Sequence, residues 1–150
     1  MKGGLTVKNK AIDWVYDNAG RSETLKDNIN DSVCRSIAIA TGKGYEETTS
    51  LLNRYIEDSG YDEAYVKNDY SRVAKEVAHQ LLLDLGFTWK PTMLFGKGCK
   101  VHLRKSELPN GTLIVSISKH LTCIIDGIIH DIYDPSRLGN RCVYGFYYKN

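Results

Sequence analysis

Residues 119–136 read KHLTCIIDGIIHDIYDPS. Two short runs of mostly β-branched residues flank Asp126-Gly127, and this dipeptide favours the two-residue turn of a β-hairpin. The second half of the chain is therefore predicted to form an antiparallel sheet. The same short, β-branched and aromatic character recurs in three further segments, 99–103, 111–118 and 142–149.

The first half of the chain has a different pattern. A short strand followed by a turn is predicted in AIDWVYDNAG (11–20). A helix is predicted to begin at Asp31 or Ser32 and to stop at Gly42, and the apolar spacing predicts two more helices, at 45–60 and 69–86. Helices that precede strands indicate a single α+β domain over residues 1–150, with N-terminal helices packed on a C-terminal antiparallel sheet.

The composition is that of an ordinary globular protein. Hydrophobic residues make up 42% and charged residues 25% of the chain, and the formal net charge is only +2. The basic residues are dispersed, which argues against nucleic acid as the partner. The chain lacks a run of roughly 20 apolar residues and an apolar signal core, so a cytoplasmic location without membrane contact is expected. The four cysteines are then expected to be thiols rather than disulfides.

His120 opens the first strand of the hairpin and is a candidate general base. A turn centred on Asp126-Gly127 places His120 opposite residue 133 or 134, so the carboxylate of Asp134 is predicted to face the imidazole. A carboxylate in that position fixes the tautomer of the ring and stabilises the imidazolium. The alternative is that His120 is a surface residue at the end of a strand.

His130 and Asp131 are the competing residues of the second strand. The same register places His130 opposite residue 123 or 124, inside the sheet, which favours a structural role. Asp131 is expected to support the site from farther away than Asp134.

The start of the first predicted helix offers two candidate nucleophiles. The amide groups and the positive dipole end of a helix N-terminus lower the pKa of a thiol and stabilise an oxyanion, which favours position 32, occupied by Ser32. Cys34 lies deeper in the helix, beside the apolar residues Val33 and Ile37, where it is expected to be a small buried hydrophobe. Cys34 is nevertheless the only cysteine of the region, and a thiol is the usual partner of a His–Asp pair.

Four segments carry a resemblance to known proteins: DSVCRSIAIATGK, GCKVHLRKSELPNG, LIVSISKHLTCIIDGIIHDIYDPSR and RCVYGFYY. A helix-borne nucleophile, two more helices, a strand opening with His and a strand ending in Asp resemble the papain-like cysteine peptidase fold. The hairpin is similar to that of the peptidase domains that trim bacteriocin leaders in bacterial exporters. Over most of residues 11–148 the chain resembles a family of small, uncharacterised phage and prophage proteins.

The helix motif of that family is similar to Asp-Cys-Val-Val-Arg-Ala-Ile-Ala-Ile-Ala-Thr-Gly-Lys. Ser32 therefore stands where the resemblance implies the nucleophilic cysteine, and Cys34 stands where it implies a valine. Three explanations are open: an engineered Cys→Ser replacement, an inactive natural relative, or a transfer of the nucleophile's role to Cys34. A serine hydroxyl ionises far less readily than a thiol, so this chain is expected to be inactive or weakened.

The papain-like pattern also implies a glutamine, as an oxyanion donor, at the position that Lys26 occupies here. No Gln occurs between residues 1 and 79. Asn28 and Asn30 are candidate replacements, with Asn30 the residue assigned to the oxyanion hole, although both are also suited to a turn or a cap.

The sequence therefore predicts a thiol hydrolase or acyl-transfer enzyme of the peptidase or amidase type, with a protein or peptide as its substrate. Position 32, His120 and Asp134 form its predicted triad. The alternative is a catalytically inactive papain-like protein that binds and inhibits a host protein. No cofactor and no metal is predicted, because no second Cys or His pair supports the metal-like spacing of Cys99 and His102.

Overall fold

A computed structural model of the chain describes residues 12–22, 31–94 and 96–149. Within these residues the fold is α+β, as predicted, and consists of helices and a six-stranded sheet. The helices are α1 (Ser32–Thr41), α2 (Tyr45–Ser59), α3 (Glu63–Asn68) and α4 (Tyr70–Asp84). The strands are β1 (Asp13–Tyr16), β2 (Thr88–Pro91), β3 (Thr112–Ile117), β4 (His120–Ile125), β5 (Ile128–Asp131) and β6 (Gly145–Tyr148).

The sheet has the strand order β1-β5-β4-β3-β6-β2. The predicted hairpin is present as β4 and β5, with Cys123 opposite His130. Asp126 and Gly127 both have positive φ, 48° and 79°, as a type I′ turn requires. The expectation of a purely antiparallel sheet is wrong, because β1 pairs with β5 in parallel. This long-range pairing joins strands from opposite ends of the chain, and local patterning carries no signal for it.

The helices pack on one face of the sheet and form the first apolar cluster. Ile37 of α1 and Leu52 of α2 are fully buried there, together with Ile114 of β3 and Leu121 of β4. Helices α1 and α2 end where predicted, at glycines with left-handed backbones: Gly42 has φ 72° and Gly60 has φ 81°.

A second apolar cluster covers the other face of the sheet. Leu113, Val115 and Ile117 alternate with Ile114 along β3 and contact Leu103 and Val143 from the loops. The predicted strand at 99–103 is wrong: this segment forms no regular strand and makes one isolated bridge pair, His102 with Cys142. Cys99 and Cys142 form a disulfide beside that bridge, so the expectation of four thiols is also wrong.

The sequence patterning missed strand β2 and helix α3, and also a short 3-10 helix at Lys105–Glu107. Strand β2 pairs with β6 at one edge of the sheet. Pro91 discourages a strand prediction, yet an edge strand tolerates a residue without an N–H group. Helix α3 has only six residues and no buried side chain, so it lacks an apolar stripe to detect. Among the described residues, no helix combines the length and the apolar character needed to cross a membrane.

Candidate active site

Ser32 is the first residue of α1 and lies against the start of β4. Its Oγ atom accepts a hydrogen bond from the backbone N–H of Leu121 at 3.3 Å. Ser32 and His120 line one cleft of about 410 Å³, together with residues of α4. The packing of α1 on β4 therefore brings position 32 next to the strand residue that follows His120, across 89 residues of sequence.

His120 forms a buried hydrogen bond with a carboxylate. Its Nε2 atom lies 2.7 Å from Oδ2 of Asp131. The side chain of Asp131 is 1% exposed, and that of His120 is 8% exposed. Because an ionised carboxylate only accepts hydrogen bonds, Nε2 carries the proton in this pair. Nδ1 is then the ring nitrogen left to exchange a proton with another group.

The carboxylate partner of His120 is therefore Asp131, and the predicted pairing with Asp134 is wrong. The predicted register itself is right, since His130 lies opposite Cys123. Continuing this ladder places Thr122 opposite Asp131, and His120 shares a face of β4 with Thr122 because side chains alternate along a strand. The carboxylate thus approaches His120 diagonally.

Asp134 has a local role instead. It lies beyond the end of β5, it is exposed, and its Oδ1 accepts a hydrogen bond from the backbone N–H of Ser136 at 2.9 Å. The residue that faces His120 from this part of the chain is Tyr133, whose ring centroid lies 5.2 Å from that of the imidazole.

Asp131 is held by four hydrogen-bond donors. Oδ2 accepts from His120 and from the hydroxyl of Thr122 at 2.7 Å, while Oδ1 accepts from the guanidinium of Arg35 and from the N–H of Ile132, both at 2.7 Å. Burial would raise the pKa of Asp131, but the bonds from His120, Thr122 and Arg35 outweigh this effect and hold the pKa below its usual value. The carboxylate therefore stays ionised and fixed in orientation.

Arg35 joins the start of α1 to the His120–Asp131 pair. Its Nε donates to Asp31 at 2.7 Å, and its other contact is with Asp131. Asp31 also accepts from Arg21 at 3.1 Å and from the hydroxyl of Tyr45 at 2.9 Å. Burial opposes the ionised form of Asp31, but the bonds from Arg35, Tyr45 and Arg21 lower its pKa.

Because the side chain of Asp31 is engaged in these contacts, it does not cap the N-terminus of α1. Asp31 occupies the cap position but makes no side-chain capping hydrogen bond. The first N–H groups of a helix have no partner within the helix, and they attract negative charge. At residue 32 these groups are suited to stabilise an oxyanion.

Cys34 is on the other side of α1 from this arrangement. Its sulfur lies 3.1 Å from the hydroxyl of Thr49 and 3.5 Å from the carbonyl oxygen of Tyr45, both on α2. Burial raises the pKa of the Cys34 thiol to about 11. A buried thiol with a raised pKa is a weak nucleophile. The contacts thus favour Ser32 over Cys34 as the nucleophile position.

Three candidates from the sequence remain: the oxyanion donor, the second histidine of the hairpin and a metal site. Asn30, assigned to the oxyanion hole, lies outside the described residues, as do Asn28 and Lys26. His130 lies on β5 with its Nδ1 3.4 Å from a carboxylate oxygen of Asp17. In the described part of the chain, no group of three or more His, Cys, Asp or Glu side chains is arranged to hold a metal ion.

Sequence reasoning missed the contributions of Arg35 and Thr122. Arg35 follows Asp31 by four residues, which places both on one side of the helix start, and this spacing is the signal that indicates their ion pair. Its second partner, Asp131, is 96 residues away, and only the fold reveals it.

Chemically, the arrangement combines a serine hydroxyl at a helix N-terminus, an imidazole whose Nδ1 has no hydrogen-bond partner among the described residues, and an ionised carboxylate that orients the ring. Comparison with protein-family models, curated proteins and solved structures finds no match to this chain.

Proposed function

We propose that this fold is that of a thiol hydrolase or acyl-transfer enzyme, in which residue 32 is the nucleophile in its cysteine form. His120 is the general base and then the general acid, and Asp131 orients His120. The observation that carries the proposal is the buried His120–Asp131 hydrogen bond beside a helix N-terminus that presents residue 32. In the proposed triad, Asp131 takes the place that the sequence predicts for Asp134.

The proposed reaction begins with proton transfer from the thiol of a cysteine at position 32 to Nδ1 of His120. The thiolate attacks the carbonyl carbon of an amide, isopeptide or thioester bond, and the N–H groups at the start of α1 hold the oxyanion. The imidazolium returns its proton to the leaving group, which leaves a thioester on the enzyme. Water or another acceptor, deprotonated by His120, then displaces the cysteine and regenerates the thiol.

The serine of this chain weakens the proposed catalysis. A hydroxyl has a far higher pKa than a thiol, so the imidazole removes its proton much less readily. The N–H of Leu121 donates a hydrogen bond to Ser32 Oγ. The same N–H would stabilise a thiolate at position 32 more strongly than a neutral hydroxyl, because hydrogen bonds to charged acceptors are stronger.

A second function is favoured by that serine and by the burial of the Cys34 thiol. It is a non-catalytic protein of the same architecture that binds and inhibits a host protein. In that case position 32 carries serine in the natural gene, and the intact ion-pair network serves only stability.

Alkylation of a Ser32→Cys variant distinguishes the two. Iodoacetamide labelling, followed by intact mass against pH, is expected to be fast at roughly pH 6, because the imidazolium stabilises the thiolate. The unchanged protein is the blank for Cys34 and Cys123. Labelling at the rate of an ordinary thiol, with no effect of an added His120→Ala change, would contradict the enzyme proposal and favour the binding protein.

A further inference from the structure

Two clefts flank His120 and share it. The first, here called the helix-side cleft, contains Ser32 and has α4 as its far wall. The second, the turn-side cleft, has a volume of about 530 Å³ and is bounded by the segment that follows β5. Lys119 lines both clefts, because it occupies the turn between β3 and β4 directly before His120.

Cationic side chains outnumber carboxylates in the lining of both clefts. Arg72, Lys75 and Lys119 line the helix-side cleft, and Lys119, Arg137 and Arg141 line the turn-side cleft. The carboxylates among the lining residues are Asp69 in the first cleft and Asp134 in the second. Asp134 is engaged with a backbone N–H group rather than with a cation.

Two of these cations are held in place by backbone carbonyl groups. The Nζ atom of Lys75 lies 3.3 Å from the carbonyl oxygen of Ile117, and the guanidinium of Arg141 donates to the carbonyl oxygen of Ser118 at 2.5 Å. These bonds fix the side chains on either side of the turn that carries Lys119. A carbonyl group is neutral, so these bonds do not compensate the positive charges.

Few carboxylates compensate the positive charge of the cations that line the two clefts, here called the cationic rim. Arg72 lies 3.5 Å from Glu76 in an exposed pair, which contributes little. Across residues 12–22, 31–94 and 96–149, no carboxylate lies within ion-pair distance of Lys75, Lys119, Arg137 or Arg141. The whole chain has a net charge of only +2, so this excess of cations is a local feature.

We infer that the two clefts select an anionic acyl substrate, a peptide that carries carboxylate groups next to the bond attacked. This substrate class rests on the proposed function of residue 32 and His120. Lys119 is the central specificity residue because it borders both clefts, while Lys75 and Arg141 bind carboxylates on either side of it. A cleft lined by one sign of charge raises the local concentration of the oppositely charged substrate.

A pair of small alkylating reagents tests this inference. Iodoacetate is anionic and iodoacetamide is neutral, and both transfer their CH₂ carbon to the thiolate with loss of iodide. In the Ser32→Cys protein, we expect the ratio of the iodoacetate rate to the iodoacetamide rate to exceed that of a free cysteine peptide. Lys119→Glu is expected to lower this ratio about fivefold, as follows from two units of charge at a surface site.

Lys90→Glu is the matched control, because it makes the same charge change on β2, an edge strand separated from β4 by two others. It is expected to leave the ratio unchanged. The ratio of the Ser32→Cys protein is also expected to fall as salt rises from roughly 0.02 to 0.5 M, a measurement that needs no rim variant. A ratio equal to that of a free cysteine peptide, insensitive to both Lys119→Glu and salt, would overturn the inference.

The proposed function and the proposed substrate class are tested by different measurements. The absolute rate with iodoacetamide reports whether the thiol is activated, and thus tests the proposed function. The ratio compares two reagents at the same thiol, and its change on Lys119→Glu reports the charge of the clefts whether or not the thiol is activated.

Discussion

Asp131 is the residue on which the site depends most. It is almost completely buried, and it receives four hydrogen bonds, one of them from His120. A carboxylate with all its acceptor positions filled cannot rotate away from the imidazole. It therefore fixes the ring with Nε2 bound to the carboxylate and leaves Nδ1 as the nitrogen that can exchange a proton, which is the tautomer that base catalysis needs.

Replacing Asp131 and Asp134 in turn tests this assignment. In the Ser32→Cys background, Asp131→Asn is expected to slow iodoacetamide labelling near neutral pH on the order of tenfold or more, because the ring loses its preferred tautomer. The change should also shift the acidic limb of the pH profile toward higher pH, which a loss of stability alone does not do. Asp134→Asn makes the same chemical change and is expected to have no effect. Equal effects of the two variants would contradict the assignment.

The sequence indicates position 32 and His120 as candidates, but it does not identify the carboxylate that contacts His120. The helix N-terminus favours position 32, and the Asp-Gly turn predicts a register that places a carboxylate near His120. It does not distinguish Asp131 from Asp134, because that choice depends on where β5 ends and on which face His120 and Thr122 share. Arg35 joins residues 96 positions apart in the chain, beyond the reach of any local pattern.

Helix α1 is the element that assembles the site. One side of its first turn presents residue 32 to β4, and another side carries Arg35 to the two aspartates. Both carboxylates and the guanidinium are at most 6% exposed. Removing one member of a buried ion-pair network leaves uncompensated charge behind.

Arg35→Met is therefore expected to reduce the free energy of unfolding by about 3–5 kcal/mol. Arg35→Lys should recover only part of this loss, since an ammonium group lacks the planar fork that reaches both carboxylates. Urea denaturation measures both variants against Arg54→Met, which removes the same group from the exposed surface of α2. If Arg35→Met costs no more than Arg54→Met, the network does not stabilise the fold.

The elements themselves were predictable to different degrees. The glycines that end α1 and α2, and the Asp-Gly turn between β4 and β5, are local signals, and each prediction that used them is confirmed. Helix α3 and strand β2 are short and mostly exposed, so neither has an apolar period. The parallel pairing of β1 with β5 follows from the fold of the whole chain rather than from either strand.

Across the whole molecule, the lowered pKa values of Asp31 and Asp131 link stability to pH. A carboxylate whose pKa is depressed on folding stabilises the folded state above its unfolded pKa, near 4. This stabilisation is lost as pH falls from there toward the folded pKa. The free energy of unfolding is thus expected to drop steeply below about pH 4.

Urea denaturation at a series of pH values between roughly 7 and 2.5 measures this dependence. The Asp131→Asn variant should show a shallower decline, because one of the two buried carboxylates with a lowered pKa has been removed. A decline of equal slope in the variant would mean that other carboxylates govern the acid limit.

The disulfide stabilises the face of the sheet that lies away from α1. Cys99 and Cys142 enclose a sequence separation of 43 residues, for which the chain-entropy relation gives up to about 4 kcal/mol. The paired change Cys99→Ser with Cys142→Ser is expected to lower the free energy of unfolding by about 2–4 kcal/mol. Labelling of a cysteine at position 32 should be unaffected, and a large effect on it would show that the two faces of the sheet are coupled.

The predicted cytoplasmic location and the Cys99–Cys142 disulfide imply different redox environments. A reducing cytoplasm keeps both sulfurs as thiols, whereas an oxidising compartment preserves the bond. Thermal unfolding with and without reductant measures how much of the fold depends on the pair. The melting temperature is expected to fall with reductant, in line with the loss of about 2–4 kcal/mol expected for the paired serine change.

In the proposed mechanism, residue 32, His120 and Asp131 act as one proton-transfer unit. The most direct test is a pH titration of the Ser32→Cys thiolate by its ultraviolet absorbance, with the unchanged protein as the blank. An apparent pKa well below the ordinary value of about 8.5 for cysteine is expected, with a return toward that value in the Ser32→Cys, His120→Ala protein. A thiol that titrates at the ordinary value in both proteins would show that His120 does not activate residue 32.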